Sequence, residues 1–378
     1  MNKMKVIQIT DHTGSGGVNS FVYDLCLAQV KAGMSVTFIG LIDSKEKTAT
    51  AELAKMERAG IRVICIGAKG KRDAVFHHIG TLRTIIKSIA QNDSCICNLH
   101  LKLSVLCGIF ATIGLKNVKC VETYHNKYHH YKLQYALCYL FIKHYIAISE
   151  TCGEEMRRRF HTPSHKVTVV PNGIDRDGIR AIASENKTTK HSEIQFVTVG
   201  RFSCEKNIIM SVKALSSVCS DSLRYCVIGD GPQRNEIYKA AKGNPYIEFT
   251  GWLPRGETLS RLAQSDVVIM PSLWEGRSIL QLEAMALDKP MIISDVPALR
   301  EVFKERALEE DEVCRICRWG CLVKTNNPDA YRRAVEILCR QPISWWKEAS
   351  LAVQQRSCET DMVLTVRGYK KVYENLLW

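Results

Sequence analysis

The sequence of 378 residues contains no run of eighteen apolar residues free of charge, which argues against a transmembrane helix. Its first ten residues hold a short apolar run without a cleavage-site pattern, so they predict a first strand and not a signal peptide. The sixteen cysteines lack disulfide-scaffold spacing, which favours free thiols in a reducing cytoplasm. A hydrophobic content of 46% and a charged content of 24% indicate a globular protein, and the length suits two domains.

Positive charge is concentrated in the first half of the chain. Residues 1–180 hold 25 Lys and Arg against 14 Asp and Glu, whereas residues 181–378 hold 27 against 25. A basic half beside a nearly neutral half suggests an acidic partner for the first half, such as nucleic acid, anionic lipid or a phosphorylated substrate. A generic basic surface is the plainer alternative.

Strands alternate with helices along both halves, which predicts an α/β fold of two doubly wound parallel sheets. We place an N-terminal domain at 1–180, a polar linker at 181–192, a C-terminal domain at 193–358 and a last helix within 359–378. Ligands of such sheets gather at the carboxyl ends of the strands. The unusual polar residues of this chain nearly all follow a strand, so we expect its sites there.

The segment 271–290 is the most informative part of the chain. It places Glu275 in a loop and Glu283 eight residues later, in a helix predicted over about 278–287. The neighbours of Glu283 on its helix face are apolar, with no Lys or Arg at helical spacing. Because an isolated buried carboxylate is costly, its partner comes from elsewhere, and a ligand rich in hydroxyl groups would serve. A core helix whose Glu reaches the helix edge is the alternative.

Three other segments have features of anion binding. Arg201 and Lys206 follow a strand and precede a helix, where a forked guanidinium and an ammonium can clamp a diphosphate. Two solvated cations are the alternative. Gly16 and Gly17 open a helix and let the backbone approach a ligand, although the full dinucleotide fingerprint G-x-G-x-x-G is missing. Gly229 follows another strand.

These motifs resemble those of the retaining family 4 glycosyltransferases, which have the GT-B fold of two Rossmann-like domains facing across a cleft. Glu275 and Glu283 match the family's E-x7-E element, and Arg201 and Lys206 match its G-R-x-x-x-x-K element. The loop with Gly16 and Gly17 is similar to the family's first loop. The resemblance implies that Glu275 meets the donor sugar, Glu283 the nucleotide ribose and the two cations the leaving diphosphate. It also implies that the last helix braces the first domain.

The resemblance places five further residues around the donor, namely Gly229, Gly276, Arg277, Ser278 and Ile279. Two positions depart from the family. Arg277 stands where an aromatic or apolar residue is usual, and Asp288 stands where glycine is common. Arg277 either recognises an unusual or acidic donor sugar or points to solvent.

His100 closes an apolar run, at a point where the family has a histidine beside the reacting face of the sugar. The commonest family version has a second histidine two residues earlier, where this chain has Asn98. His125 lies in a T-x-H element and is the weaker candidate. A satisfied core histidine is the alternative for a lone His. The basic and aromatic segment 125–145 fits a membrane surface, an acceptor groove or an ordinary half-buried helix.

Two patterns suggest metal binding but are better explained without it. Asp175-Arg-Asp177 has the form of a D-x-D element, yet its position favours a helix cap and turn. Cys314, Cys317 and Cys321 follow C-x2-C-x3-C but lack a nearby fourth ligand, which favours free thiols.

We therefore expect a retaining, metal-independent glycosyltransferase without a cofactor, whose donor is a nucleotide diphosphate sugar, with UDP as the favoured carrier. Its acceptor is a glycan or lipid-linked intermediate of cell-surface polysaccharide or lipopolysaccharide synthesis. We expect a cytoplasmic protein, with peripheral binding to the inner face of the plasma membrane through the N-terminal domain, and no nucleic acid partner. The alternatives are a GT-B nucleotide-sugar epimerase and a non-enzymatic basic protein that binds membranes or nucleic acid.

Overall fold

The computed structural model describes residues 3–14, 16–44, 47–125, 139–184 and 193–377. They form two compact units. The first comprises Met1–Gly173 with Met362–Trp378, and the second comprises Ile174–Asp361. In the labels below, the helices and strands of the described residues are numbered in chain order.

The first unit is built on a parallel sheet whose described strands follow the order β3-β2-β1-β4-β5-β6-β7. The strands are β1 (Lys5–His12), β2 (Ser35–Ile42), β3 (Arg62–Ala68), β4 (Cys95–His100), β5 (Val118–Tyr124), β6 (His144–Ala147) and β7 (Val167–Val169). The helices are α1 (Gly17–Lys31), α2 (Lys47–Arg58), α3 (Lys71–His77), α4 (Ile79–Ala90), α5 (Lys102–Thr112), α6 (Glu150–Arg159) and α15 (Met362–Leu377). The strand order reverses between β1 and β4, which is where such sheets bind ligands.

The second unit repeats this design, with the described strand order β10-β9-β8-β11-β12-β14-β13. The strands are β8 (Ile194–Val199), β9 (Leu223–Ile228), β10 (Ile247–Gly251), β11 (Val267–Met270), β12 (Met291–Ser294), β13 (Cys314–Cys317) and β14 (Gly320–Val323). The helices are α7 (Arg176–Ser184), α8 (Ile208–Leu215), α9 (Arg234–Ala240), α10 (Arg255–Gln264), α11 (Ile279–Ala286), α12 (Pro297–Phe303), α13 (Pro328–Cys339) and α14 (Ile343–Ser357). Here the order reverses between β8 and β11.

Apolar packing on both faces of each sheet explains the strand sequences. In the second unit Phe196 and Val267 belong to one buried cluster, whereas their chain neighbours Val197 and Val268 belong to another on the opposite face. A strand buried on both faces has a continuous apolar run and no alternation. The expectation of two α/β, doubly wound sheets is confirmed, with one addition. Strand β13 is antiparallel to β14, which the sequence did not predict.

The boundary between the units differs from the predicted one at 180. Residues 174–180 belong to the second unit because α7 packs on α10 and α11 through the buried side chains of Ile179 and Ala183. The rest of the predicted linker, 185–192, lies outside the described residues. Helix α15 belongs to the first unit and packs on α1 and β4.

Segment 125–145 is only partly described, since residues 126–138 of it lie outside the described residues. The three interpretations of that segment therefore stay predictions. Over the ranges of the chain that the structure does describe, no helix combines the length and the apolar character that crossing a membrane requires.

Candidate functional site

Three loops at the carboxyl end of the second sheet are joined by backbone hydrogen bonds. The N–H of Phe202, in the loop after β8, donates to the carbonyl oxygen of Asp230 in the loop after β9 at 2.9 Å. The carbonyl oxygen of Phe202 accepts from the N–H of Gln233 at 3.0 Å. The same loop receives the N–H of Leu273, from the loop after β11, on the carbonyl of Glu205 at 2.8 Å. The segments that carry Arg201, Gly229 and Glu275 are therefore held as one assembly.

Gly229 has a packing requirement that no other residue type meets. Its backbone φ is 139°, a value that favours glycine. A Cβ atom placed on it would lie 1.9 Å from the carbonyl oxygen of Gly200. Glycine thus allows the loops after β8 and β9 to lie against each other.

Lys206 and Glu275 are in direct contact, although 69 positions separate them in the chain. The Nζ atom of Lys206 lies 2.6 Å from Oε1 of Glu275, which also accepts a hydrogen bond of 2.7 Å from the Ser272 hydroxyl group. Glu275 is 8% exposed. Arg201, in the same loop as Lys206, is exposed, and the described residues give it no ion pair. The site therefore has one neutralised cation and one cation that faces solvent.

Glu283 is buried in α11, and the partner that the sequence places elsewhere in the chain is a side chain of another helix. Its Oε1 atom lies 3.3 Å from Nε of Arg255, at the start of α10, and the side chains are 11% and 20% exposed. The partner comes from another helix, 28 positions away in the chain, which is why helical spacing did not reveal it. The guanidinium of Arg255 compensates for the cost of burying the Glu283 carboxylate on an otherwise apolar helix face.

Arg277 does not point to solvent, so that alternative is wrong. Its side chain is 7% exposed, and Nη1 lies 3.9 Å from Oε1 of Glu301 on α12. Burial lowers the pKa of Arg277 to about 10, and the carboxylate of Glu301 partly opposes that effect. Its neighbours Gly276 and Ser278 are buried as well, with Ser278 just before the first residue of α11, Ile279.

Asp288 replaces the glycine that is common at the end of this helix. Its φ is 57°, the left-handed conformation that usually follows a helix and that Asp tolerates better than most residues. Nη2 of Arg180 lies 2.7 and 2.8 Å from its two carboxylate oxygens, and Nε of Arg180 donates to the carbonyl of Ala286 at 2.7 Å. The guanidinium thus compensates a carboxylate placed at the negative end of the helix dipole.

In the first unit, the loop after β1 is folded onto the start of α1. Nδ1 of His12 accepts from the N–H of Gly14 at 3.1 Å, and Nδ2 of Asn19 donates to the Gly14 carbonyl at 2.7 Å. Gly16, directly before α1, has φ 123° and so requires glycine, whereas Gly17 is the first helical residue. These contacts hold the N-terminus of α1 at the carboxyl end of the sheet.

His100 and His125 form a buried pair at the same end of the sheet. Nδ1 of His100 lies 2.8 Å from Nε2 of His125, and Nε2 of His100 lies 2.7 Å from Oε1 of Gln8. Burial and the neighbouring His125 hold the pKa of His100 well below its usual range, and burial lowers that of His125 to about 3. The ring of Phe21 packs edge-on against His125 at 5.8 Å, so the pair lies beside α1.

The D-x-D and C-x2-C-x3-C patterns lie in a helix cap and in a β-hairpin. Oδ1 of Asp175 accepts from the N–H of Gly178 at 3.0 Å, which caps the first turn of α7. Cys314, Cys317 and Cys321 lie on the β13–β14 hairpin as free thiols. Within the described part of the chain, no group of three or more His, Cys, Asp or Glu is placed to hold a metal ion.

The sequence pattern did not reveal Gln8, Ser272 or Arg255 as members of these clusters. Gln8 is fully buried within an apolar strand, and a polar residue at such a position is the one signal that could have identified it. Arg255 and Ser272 look like ordinary surface and turn residues in the sequence.

Two family models match the chain, one on each half. The model described as Glycosyltransferase Family 4 matches residues 15–177, and that described as Glycosyl transferases group 1 matches residues 180–352. Similar curated proteins include an uncharacterised glycosyltransferase of Methanocaldococcus jannaschii, 30% identical over 50% of this chain and 49% of its own length. A phosphatidylinositol dimannoside mannosyltransferase of Mycobacterium tuberculosis that depends on GDP-mannose is 28% identical over 46% and 44%.

An Escherichia coli α-1,3-galactosyltransferase that uses UDP-Gal and a diphosphoundecaprenol acceptor is 26% identical over 39% of this chain and 40% of its own length. The chain thus spans about half the length, or less, of these three curated relatives.

Solved structures share the fold over nearly the whole chain. A glycosyltransferase from Rickettsia africae has a TM-score of 0.74 at 15% identity and covers 100% of this chain and 99% of its own. HepE of Anabaena, solved with UDP, has a TM-score of 0.75 at 15% identity and covers 98% and 100%. The predicted GT-B fold is confirmed by these matches.

Proposed function

Since this chain belongs to the family 4, group 1 glycosyltransferases, we propose that it moves a hexose-type sugar from a nucleotide diphosphate sugar to a glycan or lipid-linked acceptor, with retention at the anomeric carbon. The observation that carries the proposal is the contact of Lys206 with Glu275, beside an exposed Arg201, at the carboxyl end of the second sheet. The mannosyl and galactosyl transferases among its relatives support a role in cell-surface polysaccharide or lipopolysaccharide synthesis.

In this proposal the second unit binds the donor. Glu283 accepts hydrogen bonds from the ribose hydroxyl groups, and Arg255 keeps its carboxylate ionised and in place. Arg201 and Lys206 bind the diphosphate, while Glu275 accepts from hydroxyl groups of the hexose. UDP is the favoured carrier, which the UDP complex of HepE supports for the fold.

The backbone around α11 supplies the remaining contacts of the proposed donor site. Its first N–H groups, from Ser278 and Ile279 onward, are unpaired within the helix, and the helix dipole favours an anion at this end. Gly229 and Gly276 let backbone lie close to the phosphate and the sugar. Arg277, held by Glu301, supports the loop from behind and adds positive potential without a direct contact to the donor.

The chemistry exchanges one bond at the anomeric carbon for another. The bond from that carbon to the diphosphate oxygen breaks, the bond to the acceptor oxygen forms on the same face, and the acceptor proton passes to the leaving diphosphate. The charge that develops on the diphosphate is stabilised by Arg201 and Lys206, which take the role that a metal ion has in other transferases. We therefore propose that transfer needs neither metal nor cofactor.

A panel of nucleotide sugars in a thermal-shift assay tests the donor class, because a ligand that binds only the folded state raises the melting temperature. One donor should stabilise the protein more than its free nucleoside diphosphate does. Transfer with that donor should persist in EDTA. No shift with any UDP or GDP sugar, or activity lost in EDTA and restored by magnesium or manganese, would contradict the proposal.

The first unit supplies the acceptor site in this proposal and binds an anionic membrane surface. Supporting features are its positive charge and the exposed side chains of Phe76 and Phe110, which are 77% and 49% exposed. Lys71 and Arg72 lie on the same helix as Phe76. The protein should bind vesicles that contain anionic lipid in low salt, at about 1 kcal/mol per cation near the surface. Equal binding to neutral vesicles, or no binding, would reject this part.

A further inference from the structure

A polar network is buried in the first unit between the sheet and the last helix. Gln8 lies at its centre on β1, and Asn98 on β4 donates from Nδ2 to Oε1 of Gln8 at 2.9 Å. Oδ1 of Asn98 accepts from the Thr123 hydroxyl group at 3.0 Å. Gln8 and Asn98 are fully buried. Buried polar groups of this kind are costly unless they form hydrogen bonds, and Oε1 of Gln8 and Oδ1 of Asn98 each accept one within the network.

The same network reaches the last helix. Nε2 of Gln8 donates to Oε1 of Gln29 on α1 at 2.8 Å and lies 3.4 Å from the hydroxyl group of Tyr373 on α15. The Thr123 hydroxyl group lies 3.2 Å from that of Tyr369. Both Nε2 hydrogens of Gln8 therefore face acceptors, and its Oε1 faces the strand that carries His100.

This orientation decides which nitrogen of His100 carries a proton. Nε2 of His100 is 2.7 Å from Oε1 of Gln8 but 3.2 Å from Nδ2 of Asn98, so the shorter contact is to an acceptor. A neutral imidazole has one donor and one acceptor nitrogen. With its proton on Nε2, His100 presents Nδ1 as an acceptor to Nε2 of His125, which must then be the donor.

In this tautomer the two nitrogens of His125 differ. Its Nε2 is used by His100, and among the described residues nothing pairs with its Nδ1, which is left as an acceptor. His100, by contrast, has both ring nitrogens engaged by protein groups. Tyr369 and Tyr373 on α15 contact Thr123 and Gln8 of this network, and burial raises the pKa of each phenol, so they stay neutral.

We propose that Gln8 and Asn98 are positioning residues that hold His100 and His125 as Nε2–H tautomers and so present Nδ1 of His125 to a substrate hydroxyl group. This rests on the proposed function for its role in transfer, but the tautomers themselves do not. His100 then acts through His125 and does not touch the sugar. Asn98 stands where the family commonly has a second histidine. It donates a hydrogen bond to Oε1 of Gln8 and so keeps this oxygen turned toward Nε2 of His100.

The test is a two-bond ¹H–¹⁵N correlation spectrum of the full chain labelled with ¹⁵N-histidine, with His100→Gln and His125→Gln used for assignment. The wild type should show both rings neutral at pH 7, with protons on Nε2. Gln8→Met removes the acceptor and should move the His100 proton to Nδ1. Gln8→Glu keeps the acceptor and should retain the Nε2 proton, while its charge raises the pKa of His100. Gln281→Met, a change at an equally buried glutamine of the second unit, should change neither ring.

The kinetic arm uses the donor that the thermal-shift panel identifies. Gln8→Met should lower kcat about tenfold, as for one lost hydrogen bond, with donor affinity unchanged, and Gln8→Glu should recover part of it. A wild-type His100 protonated on Nδ1 or on both nitrogens, or tautomers that ignore Gln8→Met, would overturn the proposal. If Gln8→Met does not fold, the Nε2 proton in Gln8→Glu decides. A wild type with the expected tautomers but no transfer would instead refute the proposed function.

Discussion

Replacing Glu283 by Gln separates a ligand-binding carboxylate from a structural one. In the proposed site this carboxylate accepts the ribose hydroxyl groups, and it is also 3.3 Å from Nε of Arg255. A hydrogen bond to a charged group is worth about 1.5–3 kcal/mol, so Glu283→Gln should weaken UDP binding roughly ten- to a hundredfold. The amide oxygen can still accept from Arg255, whose side chain is 20% exposed, so unfolding should become easier by only about 1 kcal/mol.

The reciprocal change, Arg255→Met, should have the opposite balance. It leaves the Glu283 carboxylate, with a side chain 11% exposed, without this cation, which should cost about 2–3 kcal/mol of stability. UDP affinity should fall less than in Glu283→Gln, because the ribose-binding group is still present.

The exposed ion pair of Arg261 and Glu248 supplies a matched control for Glu283→Gln. Arg261 on α10 pairs with Glu248 at 3.1 Å, but these side chains are 43% and 53% exposed. Glu248→Gln should therefore change neither stability nor affinity by more than a few tenths of a kcal/mol. Isothermal titration with UDP and urea unfolding measure the two quantities. If Glu283→Gln binds UDP as tightly as wild type but is markedly less stable, the carboxylate is structural and the assignment of the ribose site is wrong.

Three further changes test other parts of the molecule. Lys206→Ala should reduce transfer and diphosphate affinity, since it removes a cation and the 2.6 Å partner of Glu275, and unchanged kinetics would refute the clamp. Arg180→Ala should destabilise the wild type by about 1–3 kcal/mol but cost less in an Asp288→Gly background, because the ion pair is then absent. Equal costs in urea unfolding would show that the two residues are not coupled. Burial raises the pKa of Glu122 from 4.5 to about 8, so the free energy of unfolding should fall as the pH rises from 4.5 to about 8. Glu122→Gln should remove about 1.4 kcal/mol per pH unit from this pH dependence. An unaltered pH dependence of unfolding would contradict the prediction.

The architecture could be predicted because it depends on local patterns. Apolar runs such as 194–199, each followed by a helix, predict parallel strands with buried faces, and the polar residues at strand ends predict where ligands bind. Glu275 and Glu283 could be identified because their loop and helix are contiguous in sequence. The roles proposed for them come from the resemblance of this segment to the family's E-x7-E element.

The pairings could not be predicted because they join residues that are distant in sequence. Glu283 and Arg255 are 28 positions apart, Asp288 and Arg180 are 108 apart, and Gln8 and Tyr373 are 365 apart. Nothing in a strand or helix pattern specifies which side chain of another helix reaches a carboxylate. Asp288 also shows that a departure from a family pattern can be compensated by a residue, here Arg180, that no local motif includes.

The two carboxylates of the proposed donor site are paired with cations of the protein itself, which changes what a donor must supply. Lys206 neutralises Glu275, and Arg255 neutralises Glu283. A donor that contacts these groups exchanges one partner for another, so it gains orientation and hydrogen bonds more than it gains new charge pairing. Arg201 differs from them, since it is exposed and the described residues give it no ion pair. It follows that Arg201 should supply most of the net attraction for the diphosphate, and that its contribution should be the most sensitive to salt, because exposed charges are screened and buried pairs are not.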